Sequence, residues 1–336
     1  MTQTGTWHAG RIMDVATGYW KSAVLQAAVE LGVFEALDDD PGADVQNLAD
    51  RLNVHASYLA DLLDALTAME MLVKNQCAYA LHPEIRPYLS RHGNACMLDA
   101  LRFNSDLYPL WGRLAHTVRE GQPAIPSGAH LGHDPERTRR FAMGMHSRAL
   151  ALAPLILPAL DPGNAATLLD IAAGPGTFSR MLTERHPTLR VTQFELPSVQ
   201  HVAKELTRES VAAERITFHS GDYHTDPFPD GPFDYALLCG AIHQESTADA
   251  ITLFGKIHSA LGPGGRFLLV DLMLDENRVH PLFSNLFSIN MRLTSPSGFV
   301  HTADSLTNCL IEARFINIST DKKRCAPYWI IEAFAA

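Results

Sequence analysis

The chain has 336 residues, 46% of them hydrophobic and 19% charged, with a formal net charge of −10. That length allows two domains of ordinary size, each able to bury a core. The acidic balance repels a phosphate backbone on average and argues against DNA or RNA as the main partner; the basic run Arg137, Arg139 and Arg140 is short.

Residues 11–37 carry apolar side chains at helical spacing (Ile12, Val15, Tyr19, Val24, Ala27, Ala28, Leu31) over a thin polar face. The pattern predicts one long helix, buried on most sides as in a dimer interface. Residues 44–81 split into a helix over 44–52, a turn at Asn53–Ser57, a helix over 57–71 and short strands near 71–81. This is a helix-turn-helix followed by a β-wing. The second helix offers Asp61 and Asp64 and no Lys or Arg over residues 58–66, so it suits a major groove poorly. A structural or dimerising winged helix is the expectation.

Residues 95–121 read as helical and residues 122–134 as a Pro/Gly/His-rich loop. Pro135 opens a long helix, 135–160, which Pro154 and Pro158 are expected to kink or end. Gly163-Asn164 marks a boundary, dividing the chain into 1–92, 93–162 and 163–336. Beyond it strands are expected at 167–171, 190–194, 215–218, 234–239, 266–274, 313–320 and 327–334, with helices near 177–186, 198–213, 247–261 and 303–313. Alternation of this kind gives an α/β doubly wound sheet with helices on both faces. Ala326–Ala335 fits a terminal antiparallel hairpin strand.

The most informative stretch is Leu168–Pro197. An apolar run ends in Asp170-Ile171-Ala172-Ala173-Gly174-Pro175-Gly176, an amphipathic segment follows, and a second apolar run ends in Glu195. Glycines let backbone N–H groups come close to a ligand. An acidic residue about 20 positions on is placed for ribose hydroxyls. Ser179 stands where G-x-G-x-x-G has its third glycine, which weakens a dinucleotide reading.

Ligands of such sheets bind beyond the carboxyl ends of the strands. Those ends bring Glu195, then Gly221-Asp222-Tyr223, then Cys239 to His243, then Asp271. Acidic ends suit a ligand rich in hydroxyls and amines. His243 and Asp271 fall on strands expected to be neighbours, where a carboxylate can fix the tautomer of a proton-accepting imidazole. From the pair alone, a helix-capping His243 and a strand-ending Asp271 are the favoured reading.

Taken together, GYWKSAVLQAAVELGVFEAL, LLDIAAGPGTFS, FELPSV, SGDY, LLCGAIHQES and LGPGGRFLLVDLML make residues 10–335 resemble the small-molecule O-methyltransferases. These are class I S-adenosylmethionine-dependent enzymes, typified by plant caffeic-acid enzymes and bacterial secondary-metabolite tailoring enzymes. The resemblance implies a Rossmann-like methyltransferase domain plus a mostly helical N-terminal winged-helix dimerisation domain, a homodimer and a small, aromatic acceptor. It implies that S-adenosyl-L-methionine is held by Asp170, Ala172, Gly174, Gly176, Glu195, Leu196, Gly221, Asp222, Tyr223 and Cys239. It makes His243 the general base, oriented by Asp271. It assigns the acceptor pocket to Asn104, Phe141, Met145, His146, Asn290 and Met291.

The chain departs from the family's pattern at four places. Ala172 replaces the first glycine of D-x-G-x-G-x-G, tolerable at negative φ. Cys239 stands where plant members often have lysine, and Val300 where they have a second acidic residue by the histidine. Gln244-Glu245-Ser246 replaces Asp-Trp. Methylation at carbon, nitrogen or sulfur, or another chemistry on the same cofactor-binding scaffold, remains open. No metal is expected, because the histidines show no H-E-x-x-H spacing. Five scattered cysteines, no signal peptide and no long apolar run point to a cytoplasmic protein.

Overall fold

Three helices, rather than one, occupy residues 9–39 of a computed structural model that describes residues 6–125 and 134–336. They are Ala9–Ala16 (α1), Tyr19–Leu31 (α2) and Val33–Asp39 (α3). Gly32, at φ +75°, ends α2 with a left-handed cap that only glycine adopts cheaply. None of the residues of α1 is buried. Ile12, Met13, Val15, Tyr19 and Trp20 are exposed, so burial on most sides is not seen within one chain: no described residue of the same copy covers this face.

The chain divides into two compact units between Asp106 and Leu107. In the first, Ala43–Asp44 (β1) leads into Val45–Leu52 (α4), whose N-cap Asp44 accepts from the Asn47 backbone N–H at 2.8 Å. Ala56–Ala68 (α5), Leu72–Asn75 (β2) and Ala78–Leu81 (β3) complete the winged helix, with strand order β1-β3-β2. Asp64 of α5 accepts from Lys74 Nζ at 2.5 Å and Tyr79 OH at 2.7 Å, which ties that helix to the wing. The core gathers Phe34, Leu37, Leu48, Leu63, Leu66 and Leu72. Arg86–Leu89 (α6) and Leu98–Trp111 (α7) follow, the unit boundary falling inside α7.

The helical stretch expected over 95–121 is likewise two helices, α7 and Leu114–Glu120 (α8). Most of the expected loop, residues 126–133, lies outside the described residues. Pro135–Ile156 (α9) starts at Pro135 under an Asp134 cap that accepts from Glu136 N and Arg137 N. Pro154 sits inside its last turn, and Pro158 in a short 3-10 turn that follows. No helix of the described residues is long and apolar enough to cross a membrane.

The second unit is a seven-stranded sheet with helices on both faces. Its elements run Thr167–Ile171 (β4), Thr177–Arg185 (α10), Arg190–Glu195 (β5), Pro197–Thr207 (α11), Ile216–Ser220 (β6), Phe233–Cys239 (β7), Thr247–Ala260 (α12), Leu261–Leu272 (β8), Leu282–Thr294 (α13), Ala303–Glu312 (α14), Ile316–Cys325 (β9) and Tyr328–Phe334 (β10). The order is β6-β5-β4-β7-β8-β10-β9, with β4 to β8 parallel and β10 antiparallel to both neighbours. The hairpin expected at the end of the chain is therefore present. Alternation splits each central strand between two cores: Leu169 and Ile171 pack with Phe254 and Phe267, while Leu168 packs with Tyr235, Leu237 and Val270. Beyond β4 the chain first builds outward through β5 and β6. It then returns to add β7 on the other side, opening a crevice at the carboxyl ends of β4 and β7.

Candidate active site

Three left-handed residues shape the turn between β4 and α10. Ala172, Gly174 and Gly176 have φ of +51°, +58° and +67°. Ala172 thus lacks the negative φ that would make alanine tolerable there. The alternating left-handed backbone reverses the chain within a few residues, and an alanine there costs about 1–2 kcal/mol. A Cβ on Gly176 would lie 2.3 Å from Gln193 Nε2, whereas a Cβ on Gly174 would meet nothing within 4 Å. Gly174 therefore faces an open cradle.

Glu195 closes one side of that cradle. Its Oε2 accepts from Gly174 N–H at 2.6 Å and its Oε1 from Leu196 N–H at 2.7 Å. A carboxylate has about four lone-pair sites, so two stay available for ribose hydroxyls. Removal from water pushes the Glu195 pKa up to about 6, opposed by those two N–H donors and reinforced by Asp222. Asp170 is buried beneath the turn, and burial raises its pKa to about 7, against the Ser179 hydroxyl beside it. The open cradle and the spare acceptor capacity at its rim fit a ligand carrying ribose hydroxyls.

The loop after β6 brings Gly221, Asp222 and Tyr223 to the same end of the sheet. Asp222 Oδ1 accepts from the His224 backbone N–H at 2.9 Å and meets its Nδ1 at 2.8 Å. Burial alone would raise the Asp222 pKa, yet contact with His224 holds it below the usual carboxylate value. Cys239 ends β7; burial, with Asp170 and Asp271 nearby, pushes its thiol well above the usual value, so it stays protonated.

His243 follows β7 in a 3-10 turn, Ile242–Gln244, and Asp271 lies on the adjacent β8. The structure brings them together: His243 Nδ1 is 2.8 and 3.0 Å from the two Asp271 carboxyl oxygens. Asp271 is 1% exposed, and its Oδ1 also accepts from Leu272 N–H at 2.7 Å, so the carboxyl is fixed in place. A carboxylate on Nδ1 selects the tautomer that leaves Nε2 as a proton acceptor. At Val300, where an acidic partner was in view, the structure has a fully buried apolar side chain, and Asp271 is the carboxyl that pairs with His243.

Of the residues assigned to the acceptor pocket, Asn290 and Met291 lie on α13, a helix absent from the elements expected in chain order. Phe287, one turn earlier on that helix, presents its ring edge-to-face with His243 at 4.8 Å. Phe141, Met145 and His146 lie on α9. His146 is placed against the glycine turn, its Nδ1 2.8 Å from Thr177 Oγ1 at the start of α10. Asn104 lies on α7 in the first unit. Sequence reasoning passed over Glu245 and His301 as site residues. Both are buried within reach of the His243 turn, and no spacing motif links positions 56 apart.

A mostly parallel sheet with an open glycine cradle, an acidic second strand end and a His–Asp pair beside the switch-point crevice has the features of a nucleoside-cofactor enzyme. The O-methyltransferase domain model matches residues 111–316 and the O-methyltransferase dimerisation domain model residues 13–90. The chain is 30% identical over 316 residues to the tetracenomycin polyketide synthesis 8-O-methyl transferase TcmO of Streptomyces glaucescens, covering 93% of this chain and 92% of that one. It is 28% identical to the N,N-dimethyltransferase OxyT of Streptomyces rimosus, over 83% of each. A crystal structure of human N-acetylserotonin methyltransferase in complex with S-adenosylmethionine superposes with a TM-score of 0.89 at 26% identity, over all of both chains. The chain belongs to the O-methyltransferase family.

Proposed function

We propose that this enzyme transfers a methyl group from S-adenosyl-L-methionine to a hydroxyl of a small aromatic acceptor, with His243 as general base. The contact between His243 and Asp271 at the crevice carries the reading. Bound S-adenosylmethionine supplies an electrophilic methyl group on a sulfonium centre. Asp170, Ala172, Gly174, Gly176, Glu195, Leu196, Gly221, Asp222, Tyr223 and Cys239 form its site, with Glu195 accepting from ribose hydroxyls. Asp271 holds the His243 ring so that Nε2 takes the proton of the attacking hydroxyl; a phenol has a pKa near 10 and imidazole near 6.5, so transfer accompanies attack rather than precedes it. Phe287 packs on the His243 ring and, with Asn290 and Met291 on the same helix, supports an apolar, aromatic-sized acceptor. Phe141, Met145 and His146 extend that lining from α9. Residues 1–92 form a homodimerisation domain, 93–162 a helical connection and 163–336 the catalytic domain. All five cysteines are free thiols, which suits a cytoplasmic enzyme.

His243→Ala is expected to lower turnover by about 10²–10⁴-fold while S-adenosylhomocysteine still binds. Radiolabelled methyl transfer to hydroxylated polycyclic aromatics measures the first and calorimetry the second. Unchanged turnover removes His243 from the mechanism. The likeness to an N,N-dimethyltransferase keeps nitrogen as a second acceptor atom. NMR of the methylated product separates an O–CH₃ from an N–CH₃.

A further inference from the structure

The turn that carries His243 is gripped from two sides. On one side, the segment 297–301 donates to three successive carbonyls. Phe299 N–H donates to His243 O at 2.9 Å, Ser297 Oγ to Gln244 O at 3.2 Å and His301 Nε2 to Glu245 O at 3.0 Å. The same segment is pinned behind by Leu274 N–H donating to His301 O at 2.9 Å. His301 is 1% exposed and burial pulls its pKa down, so it serves as a neutral donor.

On the other side stands the Glu245 side chain, 4% exposed. Its Oε1 accepts from Tyr223 OH at 2.5 Å and its Oε2 meets His224 Nε2 at 3.0 Å. Burial, then the Glu245 carboxyl, raises the Tyr223 pKa, so the phenol remains a donor. His224 in turn bridges Glu245 to Asp222. Lys256 Nζ of α12 donates to Tyr223 O at 2.5 Å and Asp226 O at 2.6 Å, which anchors the loop from below. A buried carboxyl is costly unless its oxygens are bonded, and here each oxygen has a partner on the loop after β6. Glu245 thus joins two segments, the one assigned to the cofactor site and the one bearing the base.

We propose that Glu245 is a positioning residue that locks the His243 turn to the Asp222–His224 loop, so that cofactor binding and base placement depend on the same link. The inference rests on the methyltransferase reading above. Removing the link frees the loop to move, which weakens the cofactor site. It equally frees the turn, which loosens the His243–Asp271 contact.

The test uses the full-length protein, S-adenosylhomocysteine as probe, and two readouts that need no acceptor. One is its Kd by calorimetry. The other is the rate at which the His243 Nδ1–H proton, assigned by its loss in His243→Gln, exchanges with water in the complex. Glu245→Leu and Tyr223→Phe are each expected to raise the Kd about tenfold and to speed that exchange about tenfold or more, the first losing both side-chain contacts of Glu245 and the second the Tyr223 hydrogen bond alone. Circular dichroism of both variants should match the parent. Glu245→Gln, whose amide oxygen still accepts from Tyr223, should fall between them and the parent. Should Glu245→Leu fail to fold, Tyr223→Phe carries the comparison through the exchange rate, which a direct contact of Tyr223 with the cofactor would not move. Kd or exchange within twofold of the parent, in either variant that folds, overturns the inference. A parent protein that does not bind S-adenosylhomocysteine overturns the methyltransferase reading, and the inference with it.

Discussion

Ala172 carries the least favourable backbone of any residue in the proposed cofactor site. Its φ of +51° is shared with two glycines two and four positions on, and it alone has a Cβ. A methyl group there opposes the left-handed conformation, so Ala172→Gly is expected to stabilise the folded protein by about 1 kcal/mol, measured as a rise in denaturation midpoint with an unchanged m-value. A midpoint that falls would mean that the alanine side chain packs more favourably than its backbone is strained. Glu195 and Asp170 present the opposite situation. Their side chains are chemically suited to the site but sit where ionisation is disfavoured, at about 6 and about 7. Both folded values are raised above the ordinary carboxylate range. On their account the ligand-free protein loses stability as pH rises through roughly 4 to 7.

At the level of elements, much of the sheet was legible. Strands buried on both faces read as unbroken apolar runs, and β4, β5 and β7 fall within a residue or so of where those runs lie. The strand expected at 266–274 begins later than β8 because Leu261-Gly262-Pro263-Gly264-Gly265 have the composition of a turn, although Leu261 pairs with Phe233. The N-terminal helices were merged because the 3.6-residue apolar stripe continues through Gly18 and Gly32. α13 was left out of the chain-order elements because Ser284, Asn285, Ser288 and Asn290 dilute its helical propensity, and part of its apolar face, Leu282, Phe283 and Leu286, points to solvent. Within the site, His243 and Asp271 were legible because neighbouring parallel strands end side by side. The contacts of Glu245 and His301 were not, since they depend on loops whose paths carry no periodicity.

For the whole molecule, the dimerisation domain and the exposed face of α1 and α2 belong together. Among the described residues Met13, Val15, Tyr19 and Trp20 present uncovered apolar surface, and residues 13–90 match a dimerisation domain. Trp20→Glu combined with Val15→Asp is expected to convert a homodimer to monomer in light scattering while the catalytic unit keeps its circular dichroism; a persistent dimer would place the interface elsewhere. The raised carboxyls of the crevice have a consequence for that assembly's exchange with its solvent. A ligand whose hydroxyls require an ionised Glu195 selects the deprotonated enzyme, so binding and proton loss are linked. Between pH 6 and 7, S-adenosylhomocysteine should expel protons into the medium as it binds. The observed calorimetric enthalpy should then vary with the ionisation enthalpy of the buffer, and that dependence should shrink by pH 8.5 and in Glu195→Gln. An enthalpy independent of buffer near pH 6 would show that the carboxyl is already ionised before the ligand arrives. With such linkage, each cofactor taken up leaves a small, countable acidification of the surroundings.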